Sequence, residues 1–376
     1  MIGFLYVLAG VFGAAFLHPY LFYPLSLRMM RARPVDRGQA PRPGASLLFA
    51  AYNEERALPS KLANIEAIKR LHPDLEVLAY CDLCTDRSLS LLQSRPDLLR
   101  VIAAIERTGK ATGMRRMVEE ARGDVCIFTD ANVLIEPGSV GKLLDHFRSP
   151  DVGGVAGTLH YVNEEESVTA GVSGLYWRLE ERIKALESRC GSIMGADGSI
   201  FATRRNLYPE VPPHLLDDMT ASFAVLFHGQ RLISAPDVVA YERNASAASD
   251  EFRRKRRIAC RAFNTHRYLR RKVKRHLPPV DRYKYVSHKL LRWFGAPLAL
   301  LSALSLAAAL LLDGRVSLLI LIAAGAGTAL AAGLLKLRPF SSAFAIAGAI
   351  VATFFGVMDA LRGRTYQTWT PAQSRD

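Results

Sequence analysis

The sequence predicts an α/β domain with a mostly parallel central sheet, joined to one N-terminal and about three C-terminal membrane-spanning helices. Between residues 46 and 147, apolar runs of strand length alternate with longer amphipathic runs. Fully apolar strands that alternate with helices are typical of a parallel sheet covered on both faces. Half of the 376 residues are hydrophobic, and many of them lie in four stretches long enough to cross a bilayer.

The four long stretches contain no Asp, Glu, Lys or Arg and cover residues 1–27, 293–312, 316–335 and 339–358. We interpret the first as an anchor and not a signal peptide, because its apolar part is too long and no basic start or small-residue cleavage site accompanies it. Four arginines follow within residues 28–37. The positive-inside rule therefore predicts an outside N-terminus and a cytoplasmic domain after the anchor.

The C-terminal topology stays open at this stage. Three crossings after the domain would place the arginines of residues 362–376 outside, against the positive-inside trend. Either one of the three stretches is re-entrant, or the charge rule is broken here.

Positive charge is concentrated before the second apolar stretch. The chain has a net charge of +14, and residues 253–292 contain sixteen Lys or Arg against the single acid Asp281. A basic block beside a membrane span predicts attraction to anionic lipid headgroups. Part of it could instead bind a diphosphate, because the guanidinium fork matches phosphate oxygens. A nucleic-acid partner is not expected, since no recognised binding motif accompanies the charge.

The predicted elements follow in a regular order. Strands are expected over 46–52, 75–80, 99–105 and 125–129, with helices over 58–71, from about 88, over 110–121 and over 137–147. Later strands are expected over 153–161, 199–203 and 231–241, and helices over 167–187 and 216–227. A further amphipathic helix, with aromatic residues among Lys and Arg, is expected at the interface over 283–294.

Five cysteines are scattered through the chain and should stay reduced in the cytoplasm. Cys81-x-x-Cys84 has the spacing of a zinc or redox motif, but no second pair or nearby histidine completes a metal site. We interpret the pair as small thiols packed near a strand end.

Polar side chains follow three of the first four predicted strands. They are Asn53 and Glu54, Asp82 and Asp86, and Asp130 and Asn132. Because the carboxyl ends of parallel strands converge on one crevice, these groups should lie around one ligand.

The residue types indicate which ligand this is. Asp130 and Asn132 offer hard oxygen atoms to Mg²⁺ or Mn²⁺, and Lys110 opens a helix directly after Gly109, where N–H groups favour an anion. The crevice therefore suits a nucleoside diphosphate with a divalent cation. Hydride transfer and P-loop hydrolysis are disfavoured, because neither G-x-G-x-x-G nor G-x-x-x-x-G-K-[ST] occurs at these positions.

The order of motifs resembles the family 2 glycosyltransferases, above all the membrane-embedded branch of cellulose, chitin, hyaluronan and poly-N-acetylglucosamine synthases. The similarity covers about residues 46–261 and extends to the membrane spans. The motifs that carry it are Ala51-Tyr52-Asn53-Glu54-Glu55, Asp82-x-x-x-Asp86, Gly109-Lys110, Thr129-Asp130-Ala131-Asn132, Gly195-x-Asp197-Gly198 with Arg204, and Asp217-Asp218.

The resemblance implies a GT-A-like fold and a role for each matching residue. Donor-contacting residues would be Tyr52, Asn53, Glu54, Asp82, Asp86, Lys110, Asp130 and Arg257. Lys110 and Arg257 would face the diphosphate, and Asp130 with Asn132 would hold Mg²⁺ or Mn²⁺. Asp218 would be the general base that deprotonates the acceptor hydroxyl, and direct displacement would invert the anomeric carbon.

Several of these residues have a plainer alternative. Asp197 and Asp217 would lie on the acceptor side, but Asp197 could be a turn residue, and Asp217 could orient its neighbour or cap a helix. Asp86 could likewise only cap the helix that follows it. Trp177 fits the helical core pattern better than a sugar platform.

One departure from the resemblance bears on the product. The synthases carry Gln-x-x-Arg-Trp after the base, whereas this chain has Arg254-Lys255-Arg256-Arg257-Ile258. Without the tryptophan on which an acceptor sugar would rest, we expect one or few additions. A processive synthase that extrudes its product is the alternative, and a non-catalytic nucleotide-sugar sensor is the alternative from another class.

The resemblance also implies partners and a location. The partners are a nucleotide-sugar donor, expected to be UDP-linked, a lipid-linked or polysaccharide acceptor, and membrane lipids. The location is a bacterial plasma membrane with a cytoplasmic catalytic domain. The predicted organisation is an anchor (1–27), a basic linker (28–44), a GT-A domain (45–250), a basic interfacial segment (251–292), membrane helices (293–361) and a tail (362–376).

Overall fold

The computed structural model describes residues 1–36, 38–163, 168–243, 247–335, 337 and 339–368, so the tail beyond residue 368 lies outside the described chain. Within these ranges one sheet contains eight strands. They are β1 Ala45–Ala51, β2 Glu76–Cys81, β3 Arg100–Ala103, β4 Val125–Asp130, β5 Leu134–Ile135, β6 Val152–Tyr161, β7 Ile200–Arg204 and β8 Arg231–Glu242.

The strand order is β3-β2-β1-β4-β7-β6-β8-β5. Strands β1 to β4 pair in parallel, and β7 runs antiparallel to both β4 and β6. Because β8 is parallel to β6, six strands share one direction and only β5 and β7 oppose them. The prediction of a mostly parallel sheet is confirmed, and the carboxyl ends of β1, β2, β4, β6 and β8 meet at one edge. The short strand β5 was not predicted, because two residues carry no periodicity.

The described helices connect these strands and lead into the apolar region. They are α1 Ile2–Leu17, α2 Phe22–Met29, α3 Leu58–Leu71, α4 Ser88–Gln93, α5 Lys110–Glu120, α6 Ser139–His146, α7 Val168–Arg189, α8 Asp217–Phe227, α9 Ala248–His276, α10 Pro279–Tyr285, α11 Leu291–Trp293, α12 Gly295–Leu312, α13 Val316–Leu334 and α14 Phe340–Leu361. A π-helical turn, Val286–Leu290, precedes α11. The predicted interfacial helix over 283–294 is thus divided among α10, this turn and α11.

Side chains on β1 alternate between two buried layers. Leu47 and Phe49 pack with α3 and α6 on one face of the sheet, whereas Leu48 packs with Met114 and Met117 of α5 on the other. Both faces of the sheet are therefore buried, which explains why its strands are continuous apolar runs in the sequence. The sheet provides a rigid frame for the loops at its carboxyl edge.

Three described helices, α12, α13 and α14, are long and apolar enough to cross a membrane, and α1 with α2 would be a fourth if that pair, bent by 64°, is one span. Helix α1 runs antiparallel to α12, because the Ser302 hydroxyl donates to the Ala9 carbonyl at 2.8 Å and Tyr6 donates to Asp313 at 3.1 Å.

The last apolar helix, α14, ends against the basic helix α9. Arg256 of α9 forms an ion pair with Asp359 near the end of α14 at 2.6 Å. Arg267 donates to the carbonyl of Ala360 at 3.1 Å. Beyond α14, the carbonyl of Arg364 accepts from Asn264 at 2.9 Å. The C-terminal end of α14 therefore lies against the basic helix α9.

Candidate active site

Hydrogen bonds join the loops that follow β1 and β2. Asn53, at a positive φ of 52°, accepts the backbone N–H of Thr85 at 2.8 Å and donates to its hydroxyl at 3.0 Å. The Asp86 carboxylate accepts the N–H of Glu55 at 3.0 Å and that of Ser88 at 2.9 Å, so it also caps α4. The backbone N–H of Glu54 donates to the Ser88 hydroxyl at 2.9 Å.

Asp82 organises the start of helix α5. Its carboxylate is fully buried and accepts the backbone N–H groups of Thr108 at 2.8 Å and Gly109 at 3.0 Å. It also pairs with Arg107 at 3.2 Å, and the Arg107 guanidinium lies 3.2 Å from the centre of the Tyr52 ring. Tyr52, Asp82 and the Gly109 loop thus form one connected wall.

Lys110 and Asp130 form the centre of the site. The ammonium of Lys110 lies 2.5 Å from Asp130 Oδ1. Burial alone would lower the pKa of Lys110, but the carboxylates of Asp130, Asp217 and Asp218 outweigh it and raise the pKa above its usual value. Lys110 is therefore a fixed cation in a half-buried position, as a diphosphate contact requires.

Gly198 lies between this pair and Asp218. A side chain at Gly198 would begin 3.0 Å from the Lys110 nitrogen and 3.5 Å from Asp218 Oδ2. The missing side chain leaves space there that both groups border. Contacts through Gly109, Lys110 and Gly198 therefore connect Asp82, Asp130 and Asp218, which are far apart in sequence.

Asp218 has the environment of a proton acceptor. Burial raises its pKa to about 7, and the negative charge of Asp217 raises it in the same direction, against the effect of Lys110. Both acids lie in the first turn of α8, where a negative charge is favoured. Asp217 is 3% exposed, and its Oδ2 has no hydrogen-bond partner among the described residues.

Asn132 turns towards an acid that the sequence did not single out. Its amide nitrogen donates to Oε1 of the buried Glu242 at 2.9 Å, at the end of β8. With the nitrogen occupied in this way, the carbonyl oxygen of Asn132 is the end available to a cation. Glu242 is a positioning residue that sequence reasoning missed, because 110 positions separate it from Asn132.

The residues fit a divalent cation only together with a substrate. Asp130 and Asn132 supply two hard oxygen ligands, but no group of three His, Cys, Asp or Glu in the described ranges could hold a metal ion. Mg²⁺ and similar ions are often bound by one or two carboxylates and completed by substrate phosphates. The donor set present here matches that case.

Asp197 lies beside a second buried cation. Lys184 of α7, 2% exposed, pairs with Asp197 at 2.8 Å and with Glu181 at 2.7 Å. Asp197 also accepts the N–H of Ser199 at 3.2 Å, as a turn residue does. The Lys184 ammonium lies 4.8 Å from the Trp177 ring centre, and Trp177 packs against the main core.

Two further cations hold backbone segments next to the site. Lys61 of α3 is fully buried and donates to the carbonyl of Val133 at 2.6 Å, which fixes the turn after Asp130. Burial lowers the pKa of Lys61 to about 7. Arg261 of α9 donates to the carbonyl of Leu215, next to the paired acids. Arg257 lies one turn earlier on α9. In the sequence, Lys61 and Arg261 are single basic residues within helical patterns, so nothing there indicated these roles.

Comparison with known proteins agrees with this geometry. Residues 46–211 match the family model described as Glycosyl transferase family 2. These residues form a family 2 glycosyltransferase domain. The family resemblance and the GT-A-like fold predicted from sequence are thereby confirmed.

Relatives and one solved structure extend the comparison. The chain is 24% identical over 240 residues to an N-acetylglucosaminyltransferase of Rhizobium meliloti (57% of this chain, 56% of that protein). It is 20% identical over 226 residues to a poly-β-1,6-N-acetyl-D-glucosamine synthase of Staphylococcus aureus (58% and 54%). The chain thus spans about half the length of these relatives.

The mannosyltransferase PcManGT from Pyrobaculum calidifontis, solved with GDP-Man and Mn²⁺, has a TM-score of 0.73 to this chain. The alignment covers 96% of this chain and 99% of that one at 21% identity. The family 2 domain and its apolar helices therefore share a fold with a whole chain of known structure.

Proposed function

We propose that the protein is an inverting glycosyltransferase that moves a sugar from a nucleotide-sugar donor, UDP-linked in our expectation, to a membrane-associated acceptor. The observation that carries this proposal is the meeting of Lys110, Asp130 and Asp218 around the space at Gly198. A cation for the leaving group and a carboxylate base are the two elements that such a displacement needs.

The residues divide the reaction between them. Asp218 accepts the proton of the acceptor hydroxyl while that oxygen attacks the anomeric carbon. The bond from the anomeric carbon to the diphosphate oxygen breaks, and Lys110 neutralises the negative charge on the departing diphosphate. A Mg²⁺ or Mn²⁺ ion on Asp130 and Asn132 would supply further charge neutralisation there. Attack from the side opposite the leaving group inverts the configuration.

A basic groove favours an acceptor that carries phosphate. This groove has a volume of about 410 Å³, and the described residues that line it include no acid. It is lined by His214, Asn264, Arg267, Tyr268 and Arg270, with the chain beyond α14. One lining residue, His214, belongs to the segment that leads into α8, three positions before Asp217. A phosphate-bearing lipid could place its head group here, because arginine matches phosphate oxygens.

Ile258 supports one or few additions over processive synthesis. It lies on α9 with 40% of its surface exposed, where the synthases carry tryptophan. An isoleucine offers no flat aromatic face on which a sugar ring of a growing chain could rest.

Turnover tests the proposal directly. Purified full-length protein with Mn²⁺ or Mg²⁺ should release nucleoside diphosphate from UDP- or GDP-sugars when a phosphate-bearing lipid is present, and EDTA should stop the release. Product length measured on a gel should show one or few added sugars. Donor binding without turnover across soluble and lipid acceptors would instead support a nucleotide-sugar sensor.

We further propose that α1, α12 and α13 cross a bacterial plasma membrane and that α14 stays at its cytoplasmic surface. The contacts of Asp359 and Arg364 with α9 put the end of α14 on the side of the catalytic domain, so an even number of crossings must separate them. The sequence between α13 and α14 contains two basic residues and no acid, a composition that the positive-inside rule favours on the cytoplasmic side.

Labelling from each side of the membrane tests this topology. In a variant without the five native cysteines, a cysteine at Gly314 should react with an impermeant maleimide in whole cells. A cysteine at Arg364 should react only in inside-out vesicles. Labelling of both positions from outside would show that α14 crosses, and the proposed topology would then be wrong.

A further inference from the structure

The Cys81-x-x-Cys84 motif forms a dithiol at the carboxyl end of β2. The backbone N–H of Leu83 donates to the Cys81 carbonyl at 3.0 Å, and Leu83 has a positive φ of 53°. This turn folds the chain back, so the two sulfur atoms lie 2.7 Å apart. Both cysteines are free thiols. The turn, and not only the sequence spacing, therefore brings the pair into contact.

The dithiol lies within the segment that joins the donor loops. Between the two cysteines, Asp82 holds the N–H groups of Thr108 and Gly109. Just after them, Asp86 holds the N–H of Glu55. A chemical change at Cys84 therefore acts on residues that support three of the loops around the crevice.

Cys84 differs in acidity from its partner, because the hydrogen bond that Cys81 donates to Cys84 raises the pKa of Cys81. A hydrogen bond from the Cys81 thiol lowers the pKa of Cys84 to about 7, and the backbone N–H of Asn53 acts in the same direction. Burial raises the pKa of Cys126 to about 12 and that of Cys260 to about 11. Since the thiolate is the nucleophile, Cys84 should react near neutral pH while Cys126 and Cys260 stay inert.

We propose that Cys81 and Cys84 are a redox modification site: a hydroperoxide oxidises them to a disulfide, and this weakens binding of the nucleotide part of the donor. The inference rests on the proposed function, because it places the donor beside Asn53 and Asp82. It assigns a use to a motif that the transfer reaction itself does not need.

The oxidation balances without any other reactant. The Cys84 thiolate attacks the terminal peroxide oxygen, the O–O bond breaks, and an alcohol, or water from H₂O₂, leaves with a proton. The Cys81 sulfur then attacks the sulfur of the resulting sulfenic acid, whose S–O bond breaks to release water. Two thiols and one hydroperoxide thus give one disulfide, one alcohol and one water, and the thiols lose two electrons.

Closing the disulfide disturbs a support of Asn53. Asn53 is a non-glycine residue at positive φ, and its side chain accepts the backbone N–H of Thr85, the residue after Cys84, at 2.8 Å. A disulfide between Cys81 and Cys84 changes the turn that positions Thr85. Losing about one hydrogen bond should raise the Kd of a nucleotide about threefold to tenfold.

The experiment combines peptide mass with nucleotide binding. Full-length protein is treated with H₂O₂ at pH 7.5, and UDP and GDP are titrated separately in the presence of Mn²⁺. We expect the peptide that contains both cysteines to lose about 2 Da, for two hydrogens. We expect the Kd of the bound nucleotide to rise in the range given above and to recover with dithiothreitol.

Two matched variants make the result specific. Cys84→Ser keeps a small polar side chain at this position but cannot form the disulfide, so its nucleotide affinity should not respond to H₂O₂. Cys126→Ser should respond like the unchanged protein. If Cys84→Ser does not fold, peptide mapping of the unchanged protein still locates the disulfide.

Two results would overturn the inference: a dithiol that stays reduced while added glutathione is oxidised, or a disulfide that leaves nucleotide affinity unchanged. If the reduced protein binds neither UDP nor GDP, the proposed donor site is wrong. The proposed change in nucleotide affinity on oxidation is then wrong as well. The peptide mass still decides in that case whether the site is oxidised.

Discussion

Asp218→Asn should abolish sugar transfer and leave donor binding unchanged. The amide cannot accept the proton of the acceptor hydroxyl, so kcat should fall by about 10²–10⁴-fold, the usual range for loss of a general base. The proposed donor contacts are Lys110 and Asp130, which the substitution does not alter. Nucleoside diphosphate release gives kcat, and a nucleotide titration gives Kd. Equal activity in the variant and the unchanged protein would exclude Asp218 as the base.

The pH profile distinguishes a base from a merely structural acid. With a pKa raised to about 7 by burial and by Asp217, the Asp218 carboxyl is protonated at lower pH, so kcat should fall as pH drops below about 7. Asp217→Asn removes the neighbouring negative charge and should lower this pKa, moving the acid limb to lower pH. An acid limb that stays in place would show that another group controls the rate.

Asp130→Ala should remove the response to divalent cations and weaken donor binding. Asp130 is the one carboxylate of the proposed cation pair, because Asn132 adds only a carbonyl oxygen. Charge stabilisation by a bound metal is worth several kcal/mol, so transfer should fall about 10²-fold or more. Transfer and nucleotide affinity are each measured across a Mn²⁺ series.

Asp74→Ala is the matched control for this loss, because Asp74 is an exposed acid that precedes β2 at the opposite edge of the sheet. It should leave the Mn²⁺ dependence and the nucleotide affinity unchanged. An Asp130→Ala protein that keeps full Mn²⁺-dependent transfer would place the cation elsewhere.

The parallel sheet and its ligand edge could be predicted because both depend on local pattern. Apolar runs of strand length define β1, β2 and β4, and the polar residues directly after them must lie at the carboxyl edge. Asp82 and Asp130 were therefore identifiable as neighbours before any distance was known, whereas Asp218 was singled out only through the family resemblance.

The remaining contacts depend on packing between distant segments. Glu242 meets Asn132 only because β8 joins the sheet next to β6, and Lys184 meets Asp197 only because α7 packs over that edge. Neither pairing leaves a periodic signal in the sequence. The position of α14 is similar, since hydropathy measures length and polarity but does not reveal that Asp359 pairs with α9.

The central claim is that one crevice holds the diphosphate, the cation and the base. An experimental structure of the full-length protein with Mn²⁺ and a nucleotide sugar tests it most directly. We expect the diphosphate at Lys110, the metal on Asp130 and Asn132, and Asp218 on the face of the anomeric carbon opposite the diphosphate. A nucleotide bound away from Lys110, or a metal that does not touch Asp130, would contradict the proposed site.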